Sequence, residues 1–160
     1  MPHLDAAYNL ARWLAGNDHD AEDIAQEACV RAFRFARSCR SSDGRAWLLT
    51  IVRHAAFSWL KKNRPVAVVS MDDDEFQEIE DQNGASHPFY TADKDALRAA
   101  LETLPLEFRE ALVLRELEEL SYKEIAEVAG VPVGTVMSRL ARARRQLQGA
   151  LTREEKYELR

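Results

Sequence analysis

An all-α fold, with two small helical domains joined by a flexible acidic linker, is predicted by three observations. Apolar residues recur at three- and four-residue spacing through residues 1–65 and again through 93–160. Helix start and stop signals punctuate both stretches: Gly16-Asn17, Pro65, Pro105, the run Ser121 to Glu124, and Pro132. Between them, residues 66–92 lose any amphipathic period and hold seven acids from Asp72 to Asp81. That is the composition of a connection rather than of a packed element.

The elements follow in order. Leu4, Ala7, Tyr8, Ala11 and Leu14 mark a first helix, stopped by Gly16-Asn17. Asp20 is placed to cap a second, with Asp23 serving its positive N-terminal end. Its buried stripe is Ile24, Ala28 and Ala32, with Ala25 and Cys29 beside them, and the polar run SCRSSDGR (Ser38 to Arg45) breaks it. A third helix carries Trp47, Leu48, Ile51, Val52, Ala55, Trp59 and Leu60 and ends before Pro65. In the second segment Leu97, Leu101 and Leu104 mark one helix, and Pro105 suits the first turn of the next. That next helix carries Phe108, Ala111, Leu112, Leu114 and Leu117. SYKE, Ser121 to Glu124, has the form of a capping box, in which hydroxyl and carboxylate each satisfy an amide at a helix start. A short helix then runs to about Ala129, and Pro132-Val133 opens the last one. Each segment has only enough core for a small domain.

Composition narrows the function. The 160 residues are 46% hydrophobic and 31% charged, the balance of a soluble globular protein. No apolar run approaches membrane-spanning length and no charged-then-apolar leader opens the chain, so neither a membrane nor a secreted protein is expected. Cys29 and Cys39 form no CxxC pair and have no histidine near them, which suits reduced thiols in a cytoplasm. The histidines at 3, 19, 54 and 87 are scattered, and no HExxH, phosphate-binding glycine loop or nucleophile beside a base is present. An enzyme, a metal, a cofactor and a small-molecule substrate are therefore not expected. The net charge of −5 hides a pattern: residues 1–30 sum to −5, 31–64 to +8, 65–131 to −12 and 132–160 to +4. Two positive segments flanking a strongly negative one suggest two anion-binding surfaces.

The second of those surfaces has a recognisable form. Ala126, Gly130 and Val136 have the spacing of a helix-turn-helix: a small residue at the crossing, a glycine at the turn and a branched residue locking the second helix. Beyond the turn, residues 136–147 contain four arginines and no carboxylate. Met137, Ser138, Ala141, Arg142 and Arg145 share an outward face flanked by Arg139 and Arg144, while Val136, Leu140, Ala143 and Leu147 face inward. A helix of this kind fits the DNA major groove, where arginine suits guanine edges and phosphates. A solvated basic face on an ordinary helical hairpin is the bland alternative. The capping box immediately upstream and the lack of compensating acid weigh against it.

LPLEFREALVLRELEELSYKEIAEVAGVPVGTVMSRLARARRQL closely resembles the promoter-reading C-terminal domain of bacterial sigma factors of the extracytoplasmic-function class. DAEDIAQEACVRAFRF, Asp20 to Phe35, resembles that family's polymerase-docking helix, and GRAWLLTIVRHAAFSWLKKNRP, Gly44 to Pro65, its −10-element helix. The resemblance implies domains at 1–65 and 93–160 around a linker at 66–92. It also implies a sigma factor that binds core RNA polymerase through the β′ clamp helices and β flap and directs it to promoter DNA. An anti-sigma factor is the implied inhibitor.

The same resemblance distributes the residues. Thr135, Met137, Ser138, Arg139, Ala141, Arg142, Arg144 and Arg145 would contact the −35 duplex, with Arg142 at a base edge and Arg139 and Arg144 on phosphates. Met137 stands where the family often has arginine or lysine; its thioether can pack on a thymine methyl but cannot bond guanine twice. Arg40, Ser41, Arg45, Trp47, Arg53, His54, Phe57, Lys61 and Lys62 would serve the −10 strand, stacking on and neutralising freed bases. Core packing accounts equally well for Trp47 and Phe57, and His54 replaces the family's usual asparagine. Asp20, Asp23, Gln26, Glu27 and Arg31 would face the polymerase, although an acidic solvated helix face would look the same. The linker acids could lie across the basic helices in the free protein. The competing function is a stand-alone helix-turn-helix regulator, which leaves the first two matched helices without a task.

Overall fold

The computed structural model describes residues 3–39, 44–64 and 93–158. The expected linker, 66–92, and the candidate contacts Arg40 and Ser41 lie outside the described residues. Among those described, all regular structure is helical.

The first segment is a three-helix unit. Helix α1, Leu4–Ala15, ends where Gly16 turns left-handed at φ 85°, its N–H closing on the Arg12 carbonyl. Helix α2, Asp18–Phe35, begins two residues before the expected cap. Asn17 takes the capping position in extended geometry, and its side-chain oxygen accepts the Asp20 N–H at 2.9 Å. Asp20 thus lies inside the first turn, and its carboxylate pairs with Arg64 at the far end of the segment. A short 3-10 turn, Ala36–Ser38, follows. Helix α3, Gly44–Asn63, packs across both predecessors. Leu10, Leu14, Ile24, Leu49 and Leu60 are fully buried at this centre; each such side chain stabilises the fold by about 1.5–3 kcal/mol.

The second segment begins with α4, Lys94–Glu102, and α5, Leu106–Leu112. Helix α5 does not stop at Leu112 but widens into a π turn, Val113–Leu117, in which the Glu118 N–H reaches the Val113 carbonyl. Leu117, expected on the apolar face, is exposed because this turn rotates it outward. Glu119 follows at φ 55°, a left-handed conformation that non-glycine residues seldom adopt. Helix α6, Tyr122–Ala129, starts with the capping box: Ser121 Oγ accepts the Glu124 N–H and Glu124 Oε1 accepts the Ser121 N–H, both at 3.1 Å. Gly130, at φ 68°, ends it and turns the chain into α7, Val133–Glu158.

The two segments are not apart. Helix α3 packs on α6, and α1 packs on α5 and its π turn. The buried side chains of both segments form one continuous hydrophobic cluster, from Ala7 to Leu151.

Candidate nucleic-acid interface

Helix α7 owes its orientation to its inward stripe. Val136, Leu140, Ala143 and Leu147 are all buried against α5 and α6, as their spacing predicts. The Pro132 carbonyl opens the helix by accepting the Thr135 and Val136 amides. The opposite face carries exposed Met137 and Arg145, with half-buried Thr135, Ser138, Ala141 and Arg142 between and beside them. This is one continuous strip on the second helix of a helix-turn-helix, the position from which side chains reach base edges.

The two arginines expected to flank that strip turn elsewhere. Arg139 pairs with Glu107 of α5 at 3.5 Å, and Arg144 pairs with Glu116 of the π turn at 3.2 Å. The Nε of Arg144 is buried with no hydrogen-bond partner.

The −10 candidates on α3 divide the same way. Arg53 lies between the Phe57 ring, 4.3 Å from its centroid, and Glu110 Oε1, which accepts its Nε–H at 2.5 Å. Its side chain is only 14% exposed. Arg45, in the first turn, donates to both the carbonyl and the carboxylate of Glu118, the latter at 3.1 Å. Trp47 and Phe57 are partly buried against the core, so packing is part of their role. His54, Lys61 and Lys62 are exposed. Partial burial, with the Arg53 and Arg31 charges added, lowers the His54 pKa from the ordinary histidine value and favours its neutral form.

Glu110 holds the most unusual position. It is 1% exposed, its Oε2 has no hydrogen-bond partner, and burial pushes its pKa up to about 7 against the opposing charges of Arg53 and Arg139. The sequence reading passed over Glu110, Glu107, Glu116 and Glu118. Their only sequence signal is a carboxylate inside an otherwise apolar stripe at position 110, between Phe108 and Ala111.

On α2, Asp23, Gln26 and Glu27 are exposed, and Glu27 pairs with half-buried Arg31 at 3.1 Å. Asp20 is drawn toward Arg64 rather than outward. Sequence reasoning missed that Val30 and Phe33 continue the Asp23–Gln26 strip at helical spacing, Phe33 being 72% exposed. They stand off the Ile24–Ala28–Ala32 stripe, which is the signal that could have found them.

Residues 1–66 match the family model of sigma-70 region 2, and residues 94–147 that of sigma-70, region 4. The chain is 35% identical over 152 residues to the ECF RNA polymerase sigma factor SigE of Mycolicibacterium smegmatis, covering 94% of this chain and 59% of that protein. It is 36% identical over 147 residues to the ECF RNA polymerase sigma factor EcfG of Rhodopseudomonas palustris, covering 86% and 75%. With the RNA polymerase sigma factor SigV of Bacillus subtilis it shares 32% identity over 154 residues, covering 96% and 89%. Among solved structures, the sigma factor RpoE from Bartonella quintana, crystallised with the anti-sigma factor NepR, superposes with a TM-score of 0.71 at 31% identity. That match covers 93% of this chain and 91% of the other.

Proposed function

Because the chain belongs to the extracytoplasmic-function class of the sigma-70 family of RNA polymerase sigma factors, we propose that it binds core RNA polymerase and directs initiation at its own class of promoters. The carrying observation is that one chain holds region 2 and region 4 in order, the latter presenting the strip from Thr135 to Arg145 on a helix-turn-helix. Helix α7 reads the −35 duplex, with Arg142 at a base edge and Met137 against a thymine methyl. Helix α3 helps hold the opened −10 strand with Arg45, Trp47, Arg53, His54, Phe57, Lys61 and Lys62, joined by Arg40 and Ser41. The strip of Asp23, Gln26 and Glu27, extended by Val30 and Phe33 and flanked by Asp20 and Arg31, docks on the polymerase. The chain acts as a specificity subunit in the cytoplasm rather than as a catalyst, and an anti-sigma factor is its expected inhibitor. No helix among the described residues is long and apolar enough to cross a membrane.

Run-off transcription with purified core polymerase on a promoter library tests this. The expected result is polymerase-dependent initiation on a defined subset of templates. Arg142→Ala should lower initiation on that subset by about tenfold or more, the worth of one good base contact. Initiation on no template would overturn the assignment. Unchanged initiation by the variant would remove Arg142 from the −35 contacts.

A further inference from the structure

We propose that the stretch from Glu107 to Glu118 is a carboxylate ladder that holds the DNA-facing arginines of both segments and keeps the free chain closed to promoter DNA. This rests on the reading of α3 and α7 as the DNA-contacting helices. Four carboxylates on this one stretch engage four arginines. Glu107 and Glu116 take Arg139 and Arg144 of α7, while Glu110 and Glu118 take Arg53 and Arg45 of α3. All four arginines belong to the candidate DNA contacts. The pairs alternate between the two helices, so the same stretch both masks the basic groups and ties the segments together.

The chemistry is competitive. A guanidinium N–H held by a carboxylate is unavailable to a phosphate oxygen, which has the same charge and a similar geometry. Duplex DNA must therefore displace Glu107 and Glu116 within the second segment, whereas Arg45 and Arg53 are released when α3 separates from α5 and its π turn. Docking on a large enzyme through the exposed strip of α2 would supply that separation.

The ladder has the marks of a contact made to be released. A carboxylate buried as deeply as Glu110, with one oxygen unpaired, is destabilising relative to an apolar side chain of the same size. The buried, unpartnered Nε of Arg144 adds to this. The π turn and the left-handed Glu119 are uncommon backbone states, and such strain gathers at switching segments. Here they set the direction in which Glu116 and Glu118 leave the chain.

Small-angle scattering and duplex-DNA binding by the polymerase-free, full-length chain test the proposal together. Glu118→Lys sets a cation against Arg45 and should raise the radius of gyration. It should also raise affinity for duplex DNA at least tenfold above that of Glu22→Lys, which makes the same charge change on exposed α2. The exchange Arg45→Glu with Glu118→Arg should restore the compact form. If Glu118→Lys loses its helical circular dichroism, Glu118→Gln carries the test, with an expected gain of about threefold. A folded variant that stays compact, or that expands with no gain in DNA affinity over Glu22→Lys, overturns the ladder. So does a folded Glu118→Lys that no longer initiates with polymerase, because docking should already have opened the contact. Failure of the unaltered chain to initiate on any template would instead remove the sigma-factor reading, and the scattering result would stand apart from it.

Discussion

Arg109→Met is expected to lower the stability of the closed chain by about 3 kcal/mol, more than any surface substitution. The reason is the set of groups this one guanidinium serves. Its Nε donates to the Leu101 carbonyl at 2.9 Å and its Nη2 to those of Glu102 and Leu104, so it finishes the C-terminal end of α4. Its Nη1 donates to the Leu14 carbonyl at 3.0 Å and more weakly to Trp13, at the end of α1 in the other segment. The last carbonyls of a helix have no partner within it and carry the negative end of its dipole, so a buried cation there is doubly favoured. Burial draws the Arg109 pKa down from its ordinary value, with Glu102 opposing and Arg64 adding to that effect. Methionine keeps the volume and removes all of these bonds, leaving the Leu101 carbonyl only the Leu104 N–H at 3.1 Å. Urea unfolding checks the result: the midpoint should fall, and Arg109→Lys should recover less than half of the loss because it lacks the planar fork. An unchanged midpoint would show that α1 and α4 are not held through this residue.

Opening of the chain is expected to become about tenfold more favourable between pH 6 and pH 8. In the closed form Glu110 has a pKa pushed up to about 7 by burial, against 4.5 for the exposed group. At pH 6 the closed form therefore still holds a proton that the open form has released, and by pH 8 it has given that proton up. Its advantage from this group is full below about 4.5, declines as pH rises, and is lost above about 7. Arg53 on α3 and Arg139 on α7 oppose the shift, Glu107 on its own helix adds to it, and the wall from α6 and its turn is Ile125, Ala129 and Val131. His54 titrates nearby; burial is the first cause of its lowered pKa, and Arg53 and Arg31, which add to it, belong to its own segment, so opening leaves their part in place. Glu110→Gln copies the protonated form and should flatten the profile. Scattering at both pH values reads this directly, and a profile equally steep in the variant would assign the effect to another group.

Much of this architecture was written in local patterns. Val136, Leu140, Ala143 and Leu147 were legible as the inward face of α7 because burial there follows the helical repeat. The capping box at Ser121 and the left-handed turn at Gly130 were legible because each depends on residues within a few positions of one another. The start of α2 was misplaced because Asn17 and Asp20 are both competent caps, and Asp20 is engaged by Arg64, 44 residues away. The π turn leaves no mark in the spacing of apolar residues except the exposure of Leu117. The arginine pairs were the least legible of all. Arg53 and Glu110 stand 57 residues apart and Arg45 and Glu118 stand 73 apart. Along the chain those arginines look as available as Lys61, and only tertiary packing separates them.

The wide turn after Leu112 has a consequence for how the resting state is inherited. A π turn amounts to one surplus residue within an ordinary helix. Removing Val113, Leu114 or Arg115 would restore the regular coil and swing everything after it by about 100°. Both Glu116 and Glu118 would survive such a deletion in composition yet miss their arginines. The locked condition is thus encoded in a tally of positions rather than in any one side chain, and a lineage could lose it without a single glutamate being replaced.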